Sequence, residues 1–477
     1  MPGLILSRIY SNTTLFFLYA LLIAHLLFSS WLAVDPDLFA RMAMGRLVLA
    51  AGTVPTLDAF AWTPKLTTWI DHEWLAGVIF YLLYQCGGEW LLFLFKVLLA
   101  ALTITLLRGC YQLGAKFQGV GLCALGLAFF GSAFLWFGTV RSQVFTYLFL
   151  TAAYYAILRH RTGAARRPLI FMLALMPLWA NLHGGFVLGL IALGVYAAAR
   201  LSKRDRDIFP LIIFAAAALS TLLNPYGLEY WDFIISALSK ARPRIAEWSA
   251  VNPFSLRGLV ISLFLLLVAV YQLQSRKRHS PESYLMLIFS MYSGFRHARL
   301  IPLGLFTAVA FFPQAFDNFG ERTKNIVRYL FLDRILSALA VLLIIPACWS
   351  FAVFLRSHSD FKLNYARYPV QAVTWAKENL PPGKVLNPFN EGSYVLWAGH
   401  SHLLVSIDGR YEEVYPEETF ETNARIFSAG TANRAELVNR LNPDYVLVPN
   451  SGQLASESFG TQWRQVYSDP LWKILAK

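Results

Sequence analysis

The sequence predicts a polytopic α-helical membrane protein that ends in a small α/β domain. Three observations indicate this fold class. Of the 477 residues, 57% are hydrophobic and only 14% are charged, a balance that is too apolar for a soluble enzyme. Apolar stretches long enough to span a membrane recur almost to residue 355. After about residue 360, short strand-like runs alternate with helical ones.

The apolar stretches of residues 1–358 predict about 11–13 transmembrane helices in a first domain. The first stretch begins near Thr14 and lacks a small-residue cleavage site, so we expect a retained helix and not a signal peptide. The second stretch has only about 13 residues, so it is either half-embedded or part of a longer, broken segment. The apolar segments lie near 14–34, 74–86, 90–108, 118–137, 143–158, 168–182, 184–199, 208–223, 258–273, 283–295, 300–316 and 335–355.

The net charge of +13 belongs to the membrane part of the chain. Residues 1–359 carry 30 Lys and Arg against 15 Asp and Glu, whereas residues 360–477 carry 11 against 13. Positive loops remain in the cytoplasm, so the four basic clusters place the loops 181–184, 224–257 and 296–299 and everything after residue 355 outside. The segment 35–73 is expected as a long first outer loop, but twelve apolar segments conflict with a cytoplasmic start and an outer tail, which need an odd number. We therefore expect a multi-pass protein of the bacterial inner or plasma membrane. The clusters contain Arg159, Arg161, Arg166 and Arg167; Arg200, Lys203, Arg204 and Arg206; Arg276, Lys277 and Arg278; and Arg322, Lys324 and Arg328.

Two kinds of site are not indicated by the sequence. No basic stripe with interleaved aromatic residues occurs outside the membrane part, so nucleic acid is not an expected partner. The four cysteines lie in or beside apolar segments and form neither a CxxC pair nor a disulfide pattern.

Residues 359–477 are predicted to form a soluble, extracytoplasmic α/β domain. Residues 369–380 have the pattern of an amphipathic helix that ends at Pro381-Pro382-Gly383. Short buried strands are expected at 384–386, 402–407 and 445–448, and helices near 391–398, 416–427 and 432–441.

Acidic residues at both ends of the loop 35–73 are the first candidates for chemistry. Asp35 and Asp37 follow the first apolar segment, and Asp71, His72 and Glu73 precede the second. Charges close to lipid are costly unless they face a cavity or a partner. A carboxylate there could deprotonate an acceptor, or Asp37 and Glu73 could share a divalent cation. The structural alternative is that Asp35 and Asp37 cap the following helix.

Basic residues on the predicted outer side are candidates for binding phosphate. Arg296, His297 and Arg299 lie between two apolar segments, and arginine binds phosphate through paired hydrogen bonds. Arg141 shows a similar but weaker pattern and could instead pair with an acid of a loop. Arginines that reach toward lipid headgroups are the structural alternative.

Three further segments carry polar groups that could line a cavity or contact an acceptor. Asn181 and His183 interrupt an apolar stretch next to two glycines, and irregular backbone at membrane depth lines cavities or forms kinks. Glu247 lies in the loop 224–257, which could cover a cavity; a solvated glutamate is the alternative. Asp408 and Arg410 follow a predicted strand in a pattern that favours a structural turn.

Several of these motifs together resemble one enzyme group. The stretches DPDLFARMAMGRLVLAAGTVPTLDAFAW, WIDHEWL, VRSQVFTYLF, WANLHGGFVLG, NPYG, IAEW and RHARLIPL resemble bacterial membrane glycosyltransferases of the GT-C class. That class includes relatives of the protein mannosyltransferases and of the lipid A aminoarabinose transferase. The stretch GSYVLWAGHSHLLVSIDGRYEEVY is similar to the outer domain of many bacterial members. Each motif is loose, and the resemblance covers most of the chain.

The resemblance implies roles for the acidic and basic residues. In the GT-C class, acids of the first outer loop act on the acceptor or bind metal, and Asp35 or Asp37 and Asp71 or Glu73 occupy the matching places. The donor is usually a sugar on a polyprenyl phosphate or pyrophosphate. The chain departs from the class at Arg41, where related sequences often have a histidine. No WWDYG-like motif occurs in the tail, which disfavours transfer of oligosaccharide to asparagine.

The predicted function is transfer of a sugar from a polyprenyl-linked donor to an extracytoplasmic acceptor, which could be a glycan, lipid or protein. Asp37 is the first choice for the base, and Arg296 and Arg299 would hold the leaving phosphate. A transporter or flippase of lipid-linked sugars is one alternative, and a non-catalytic subunit of polysaccharide assembly is another. The sugar, the acceptor, the length of the lipid and the requirement for a metal stay open.

Overall fold

The computed structural model describes residues 34–477 apart from several short segments and one long one. The segments outside the description are 116–123, 127, 129–139, 164, 203–205, 241, 243–244, 276–278, 324–364, 366, 451–453 and 455. The predicted apolar segment 335–355 and all of 14–34 except Val34 lie outside the described residues. The chain divides into two compact units, of which the second contains Trp31–Leu92, Glu229–Ala237 and Lys362–Lys477.

The first unit is built from apolar helices. Small residues allow some of them to approach closely: a Cβ on Gly189 would lie 2.4 Å from the Trp179 ring. Polar groups inside the unit pair with each other, as the hydroxyls of Tyr154 and Thr307 do at 2.8 Å. The described helices that lie wholly in this unit are Gln143–Gly163, Arg166–Leu182, Phe186–Leu201, Phe209–Ser220, Leu256–Gln274, Pro281–Arg296, Ile301–Phe311 and Pro313–Thr323.

Helices able to cross a membrane are present in the described part of the chain. Trp74–Gly114 and Leu256–Gln274 are long and apolar enough, and Phe186–Leu201, Phe209–Ser220 and Ala298–Phe311 are shorter apolar helices. The helix Trp74–Gly114 is interrupted at Gly87 and Gly88, and Gly88 has a φ of 59°. The short predicted segment 74–86 is therefore part of a longer, broken one. The total of 11–13 helices stays a prediction.

The second unit contains the strands β1 (Gly383–Leu386), β2 (Leu403–Val405), β3 (Tyr445–Pro449), β4 (Arg464–Ser468) and β5 (Trp472–Ala476). They form a mixed five-stranded sheet with the order β2-β1-β3-β5-β4. Strand β1 pairs in parallel with β2 and β3, whereas β5 pairs antiparallel with β3 and β4. The predicted strands at 384–386, 402–407 and 445–448 correspond to β1, β2 and β3. The helices of the C-terminal part are Val370–Asn379, Phe389–Gly399, Glu417–Phe427 and Arg434–Leu441.

The segment 35–73 is more ordered than the predicted loop. It begins with a helix, Pro36–Ala51, which packs against the helix that starts at Trp74. A Cβ on Gly45 would lie 2.1 Å from the carbonyl oxygen of Gly77, so the two backbones touch here. Farther along, Val405 of β2 donates to the carbonyl of Phe60 and accepts from the amide of Trp62, at 3.0 and 3.1 Å. The segment therefore extends the sheet beside β2.

Candidate active site

The carboxylates of Asp35 and Asp37 lie at the start of the helix Pro36–Ala51. Asp35 Oδ1 accepts a hydrogen bond from the Asp37 backbone amide at 3.0 Å, and Pro36 occupies the first helical position. Asp35 is thus an N-cap, which matches the structural alternative. The carboxylate that caps the helix is that of Asp35, so the Asp37 carboxylate does not have this role.

Asp37 lies beside a turn of the C-terminal part of the same unit. A Cβ placed on Gly409 would be 2.9 Å from Asp37 Oδ1 and 3.0 Å from Ser393 Oγ. Such distances are shorter than real contacts of a Cβ, so glycine at position 409 leaves the room that the carboxylate needs. The Gly409 amide also donates to Ser393 Oγ at 3.0 Å. The turn therefore holds a small residue against Asp37.

A partly buried glutamate of the C-terminal part belongs to the same surroundings. Burial raises the pKa of Glu391 to about 7. Burial also raises the pKa of the Tyr368 phenol, and the charges of Asp35, Glu391 and Asp37 raise it further. Three carboxylates therefore lie close enough to one phenol to act on its ionisation. Glu391 was not among the residues that the sequence predicted for the site.

One helical turn after Asp37, Arg41 is at the centre of a buried ionic cluster. Its guanidinium contacts Asp71 Oδ1 at 2.6 Å, Glu73 Oε2 at 2.7 Å and Glu413 Oε1 at 2.7 Å. His72 lies between the two glutamates, with its ring nitrogens 3.4 Å from Glu413 Oε1 and 3.5 Å from Glu73 Oε1. The cluster connects the helix Pro36–Ala51, the end of the predicted loop and the segment Tyr411–Glu413.

The cluster contains more negative than positive charge. One guanidinium faces three carboxylates, and removing charges from water is costly even when they are paired. Burial raises the pKa of Asp71, although Arg41 opposes this shift. Burial, together with repulsion from Glu73 and Glu412, raises the pKa of Glu413 to about 7. Burial lowers the pKa of His72, so its imidazole is mainly neutral at pH 7.

Part of this cluster has the donor atoms of a metal site. Asp71, His72 and Glu413 each offer one ligand atom, and these atoms lie within 4.8 Å of one another. Carboxylate oxygen and imidazole nitrogen suit several divalent cations. The Arg41 guanidinium already contacts two of the three residues, and a cation would compete with it. The predicted metal pair was Asp37 and Glu73; the described group instead includes Asp71, His72 and Glu413.

A second buried network in this unit has a structural role. Arg410 contacts Asp58 at 2.5 Å and Asp408 at 2.7 Å, and its guanidinium lies 4.6 Å from the Trp69 ring centre. Although burial opposes ionisation, contact with Arg410 and hydrogen bonds from Arg410 and Tyr415 hold the pKa of Asp408 below its usual range. Asp408 and Arg410, the two charged residues of the predicted turn, therefore form buried ion pairs.

The first unit contains a cluster of arginines around Glu247 and Trp248. Arg141 Nη1 lies 2.5 Å from Glu247 Oε1. The guanidinium carbons of Arg242 and Arg299 lie 4.1 Å and 4.7 Å from the Trp248 ring centre. Such distances are typical of cation–π contacts. Arg141 therefore does pair with a loop acid, which the sequence allowed as an alternative.

Backbone hydrogen bonds hold the two loops of this cluster together. The amide of Val251 donates to Phe295 O at 2.8 Å, and the amide of Ala298 donates to Ser249 O at 3.1 Å. His297 Nδ1 lies 2.8 Å from Trp248 O, so this nitrogen carries the donated proton. Arg296, in the last turn of the helix Pro281–Arg296, is exposed. Of the predicted phosphate ligands, Arg141, His297 and Arg299 thus make contacts at this junction of two loops.

The polar groups near the break at residue 183 are satisfied inside the first unit. His183 Nδ1 accepts from the Gly185 amide at 2.9 Å and lies 2.8 Å from Thr146 Oγ1. Trp179 Nε1 donates to the same Thr146 oxygen at 2.9 Å. Asn181 donates to the carbonyls of Pro177 and Leu223, both at 2.8 Å. These contacts match the structural alternative of a kink with internal partners.

The sequence predicted some members of both clusters and missed others. The predicted acids of the segment 35–73 and His72 belong to the second unit, whereas the predicted phosphate-binding arginines, Asn181, His183 and Glu247 belong to the first. Arg41 had a signal, because related sequences of the resembled class often have a histidine at this place. No pattern in the sequence marked Glu413, Arg242 or Trp248 as a site residue. Their roles are visible only from the contacts that they make in the structure.

Solved structures that share this fold include those of three glycosyltransferases. The archaeal oligosaccharyltransferase AglB from Archaeoglobus fulgidus, in complex with an inhibitory peptide and a dolichol-phosphate, matches with a TM-score of 0.58 and 12% identity over 92% of this chain and 69% of that chain. ArnT from Cupriavidus metallidurans, bound to undecaprenyl phosphate, matches with a TM-score of 0.53 and 14% identity over 96% of both chains. The mycobacterial arabinofuranosyltransferase AftD matches with a TM-score of 0.57 and 14% identity over 98% of this chain and 41% of that chain.

Sequence comparison adds no nearer relative, since no protein-family model and no curated protein sequence matches. The structural likeness extends over at least 92% of the chain in all three cases. Structures of this class are polytopic membrane proteins, in agreement with the predicted fold class. The chain therefore has the fold of the GT-C class of membrane glycosyltransferases.

Proposed function

We propose that this protein is a membrane glycosyltransferase that uses a polyprenyl-linked sugar donor. The observation that carries the proposal is the likeness to three glycosyltransferases over nearly the whole chain, one of them bound to undecaprenyl phosphate. The acceptor is an extracytoplasmic glycan, lipid or protein. A fold does not by itself establish an activity, so the roles of individual residues need their own support.

Asp37 is the proposed base. It would accept the proton of the acceptor hydroxyl or amine while that oxygen or nitrogen attacks the anomeric carbon of the donor. The bond from that carbon to the phosphate oxygen breaks, and the electron pair leaves with the phosphate. A single displacement of this kind inverts the anomeric configuration. Support comes from the position of Asp37, which is the second residue of a helix, lies beside Gly409 and is not the residue that caps the helix.

Asp71, Glu73 and His72 are proposed to position the helix that carries Asp37. Their contacts with Arg41 and Glu413 support this role, because Arg41 is one helical turn from Asp37. Breaking a buried ion pair destabilises a protein strongly, because the remaining buried charge is left without a counter-charge. The acids predicted for catalysis at residues 71 and 73 would therefore act on the reaction through Asp37.

The arginines at the loop junction are proposed to bind the donor phosphate. Arg299 and Arg141 belong to the packed cluster around Trp248, and Arg296 and His297 lie next to Arg299. Guanidinium groups hold phosphate oxygens by paired hydrogen bonds and would stabilise the charge that develops as the phosphate leaves. Hydrogen-bond donors that are held in place stabilise a developing charge more than mobile ones do, which favours Arg299 over the exposed Arg296.

The test uses the full chain in lipid nanodiscs and compares Asp37→Asn with the wild type. We expect the variant to lose transfer from a panel of polyprenyl-phosphate sugars, measured as released polyprenyl phosphate by mass spectrometry. It should keep its melting temperature and its thermal shift with undecaprenyl phosphate. Asp232→Asn, which changes an exposed acid, is the matched control.

The same variant separates the alternative functions. A lipid-sugar transporter needs the arginines but no base, so it would keep its activity in Asp37→Asn. A non-catalytic assembly subunit would show no release of polyprenyl phosphate in the wild type either. Full transfer by Asp37→Asn would refute the role of Asp37 in the proposed mechanism.

A further inference from the structure

We propose that Glu247 is an internal anion that takes the place of the donor phosphate among the arginines and is displaced when the donor binds. The inference rests on the proposed function, because it takes Arg141 and Arg299 as phosphate ligands. It gives Glu247 a positioning role, in place of the contact with an acceptor that the sequence suggested.

The ion pair between Arg141 and Glu247 has the geometry of such a contact. Arg141 Nη1 and Glu247 Oε1 lie 2.5 Å apart, and the side chains are 13% and 30% exposed. The ion pair is largely shielded from water, which strengthens it, and the Glu247 carboxylate is still partly exposed to solvent. Phosphate oxygens and carboxylate oxygens make the same paired contacts with a guanidinium, so each can replace the other.

The surroundings of Glu247 concentrate positive charge. Arg242 and Arg299 both lie over the ring of Trp248, the next residue in the chain. Burial alone would raise the pKa of Glu247, but Arg141 and Arg299 hold it below its usual range. Glu247 is therefore ionised at neutral pH and lowers the repulsion among the arginines. This contribution would keep the cluster assembled before the donor arrives.

The loop can release Glu247 without losing its own attachment. Trp248 O contacts His297, Ser249 O accepts from Ala298, and Val251 donates to Phe295. These anchors involve the residues after Glu247 and not its carboxylate. Rotation of one glutamate side chain would thus open the contact to Arg141 while the backbone of residues 248–251 keeps its place.

The test measures binding of undecaprenyl phosphate and, separately, of inorganic phosphate by thermal shift of the full chain in nanodiscs. Glu247→Gln removes the competing charge. We expect an apparent Kd for the lipid that is about tenfold lower than in the wild type, a factor that corresponds to about 1.4 kcal/mol. Glu247→Asp keeps the charge on a shorter side chain and should fall between the two. Glu229→Gln, which changes an exposed glutamate, should leave the Kd unchanged.

The two phosphate probes distinguish the sources of the anion. Tightening for undecaprenyl phosphate at concentrations where inorganic phosphate has no effect supports a lipid-phosphate site. Tightening for inorganic phosphate alone would show a site for free phosphate and would overturn the inference. If Glu247→Gln does not fold, the comparison of Glu247→Asp with the wild type decides, because an unchanged or higher Kd would contradict displacement.

Failure of the inference and failure of the proposed function have different signatures. Unchanged or weaker lipid binding by Glu247→Gln, with loss of the shift in Arg299→Ala, would overturn the displacement and leave the phosphate site intact. A full shift in Arg299→Ala would instead remove the phosphate site itself. Unchanged affinity with abolished transfer in Glu247→Gln would assign Glu247 to the acceptor and would also overturn the inference.

Discussion

The ionic cluster around Arg41 predicts that stability depends on pH through Glu413. Burial and repulsion raise the pKa of this carboxyl from 4.5 to about 7. The folded protein therefore binds the Glu413 proton more tightly than the unfolded chain does. Its contribution to stability is fully present below pH 4.5 and is lost as the pH rises through 7. The loss is about 3 kcal/mol, since each pKa unit corresponds to about 1.36 kcal/mol.

The substitution Glu413→Gln isolates this effect from the other titrating groups. Glutamine resembles the protonated carboxyl and does not ionise. Relative to the wild type, we expect the free energy of unfolding of the variant to rise by about 3 kcal/mol between pH 4.5 and pH 7.5. His72 has a lowered pKa and acts in the opposite direction, but it is present in both proteins and largely cancels in the difference.

The assay is the melting temperature in nanodiscs at half-unit steps of pH, with Glu436→Gln as a control. Glu436 is exposed, on the helix Arg434–Leu441. For domains of 150–250 residues, about 1 kcal/mol shifts the melting temperature by about 2–4 °C, so the difference should reach several degrees. A difference that stays flat from pH 4.5 to pH 7.5 would refute the reasoning, because Glu413 would then ionise as readily as an exposed acid.

Two further predictions follow from particular contacts, and a third follows from the predicted membrane topology. Arg41→Gln should destabilise the protein by about 3–5 kcal/mol, because it leaves buried carboxylates without their counter-charge; a change below about 1 kcal/mol in chemical unfolding would contradict the ion pairs. Gly45→Ala should destabilise it by about 1–3 kcal/mol, since the new Cβ would lie 2.1 Å from Gly77 O, and an unchanged melting temperature would show that the helices do not touch there. Ala429→Cys, at an exposed position, should react with an impermeant thiol reagent in intact cells; labelling only after lysis would contradict an extracytoplasmic C-terminal domain.

Local sequence patterns were sufficient to predict the class of the protein and much of the C-terminal part. The sequence predicted strands β1 and β3 and the helices Val370–Asn379 and Glu417–Phe427. Their pattern of apolar residues is complete within a short stretch of sequence. Strand β4 was missed, since most of its residues are exposed and show no apolar alternation. The helix Pro36–Ala51 was expected only in the alternative in which Asp35 and Asp37 cap it, because the stretch 35–73 was otherwise predicted to be a loop.

The sequence by itself determined that this chain is an apolar, multi-helix protein with charged residues in unusual places. Only the tertiary structure decided which charges pair. Arg41 and Glu413 are 372 positions apart, and Arg141 and Glu247 are 106 apart. Hydrophobic periodicity arises from local geometry and is visible in a short window. An ion pair depends on where the folded backbone brings two distant groups together, and no property of either residue's neighbourhood specifies its partner.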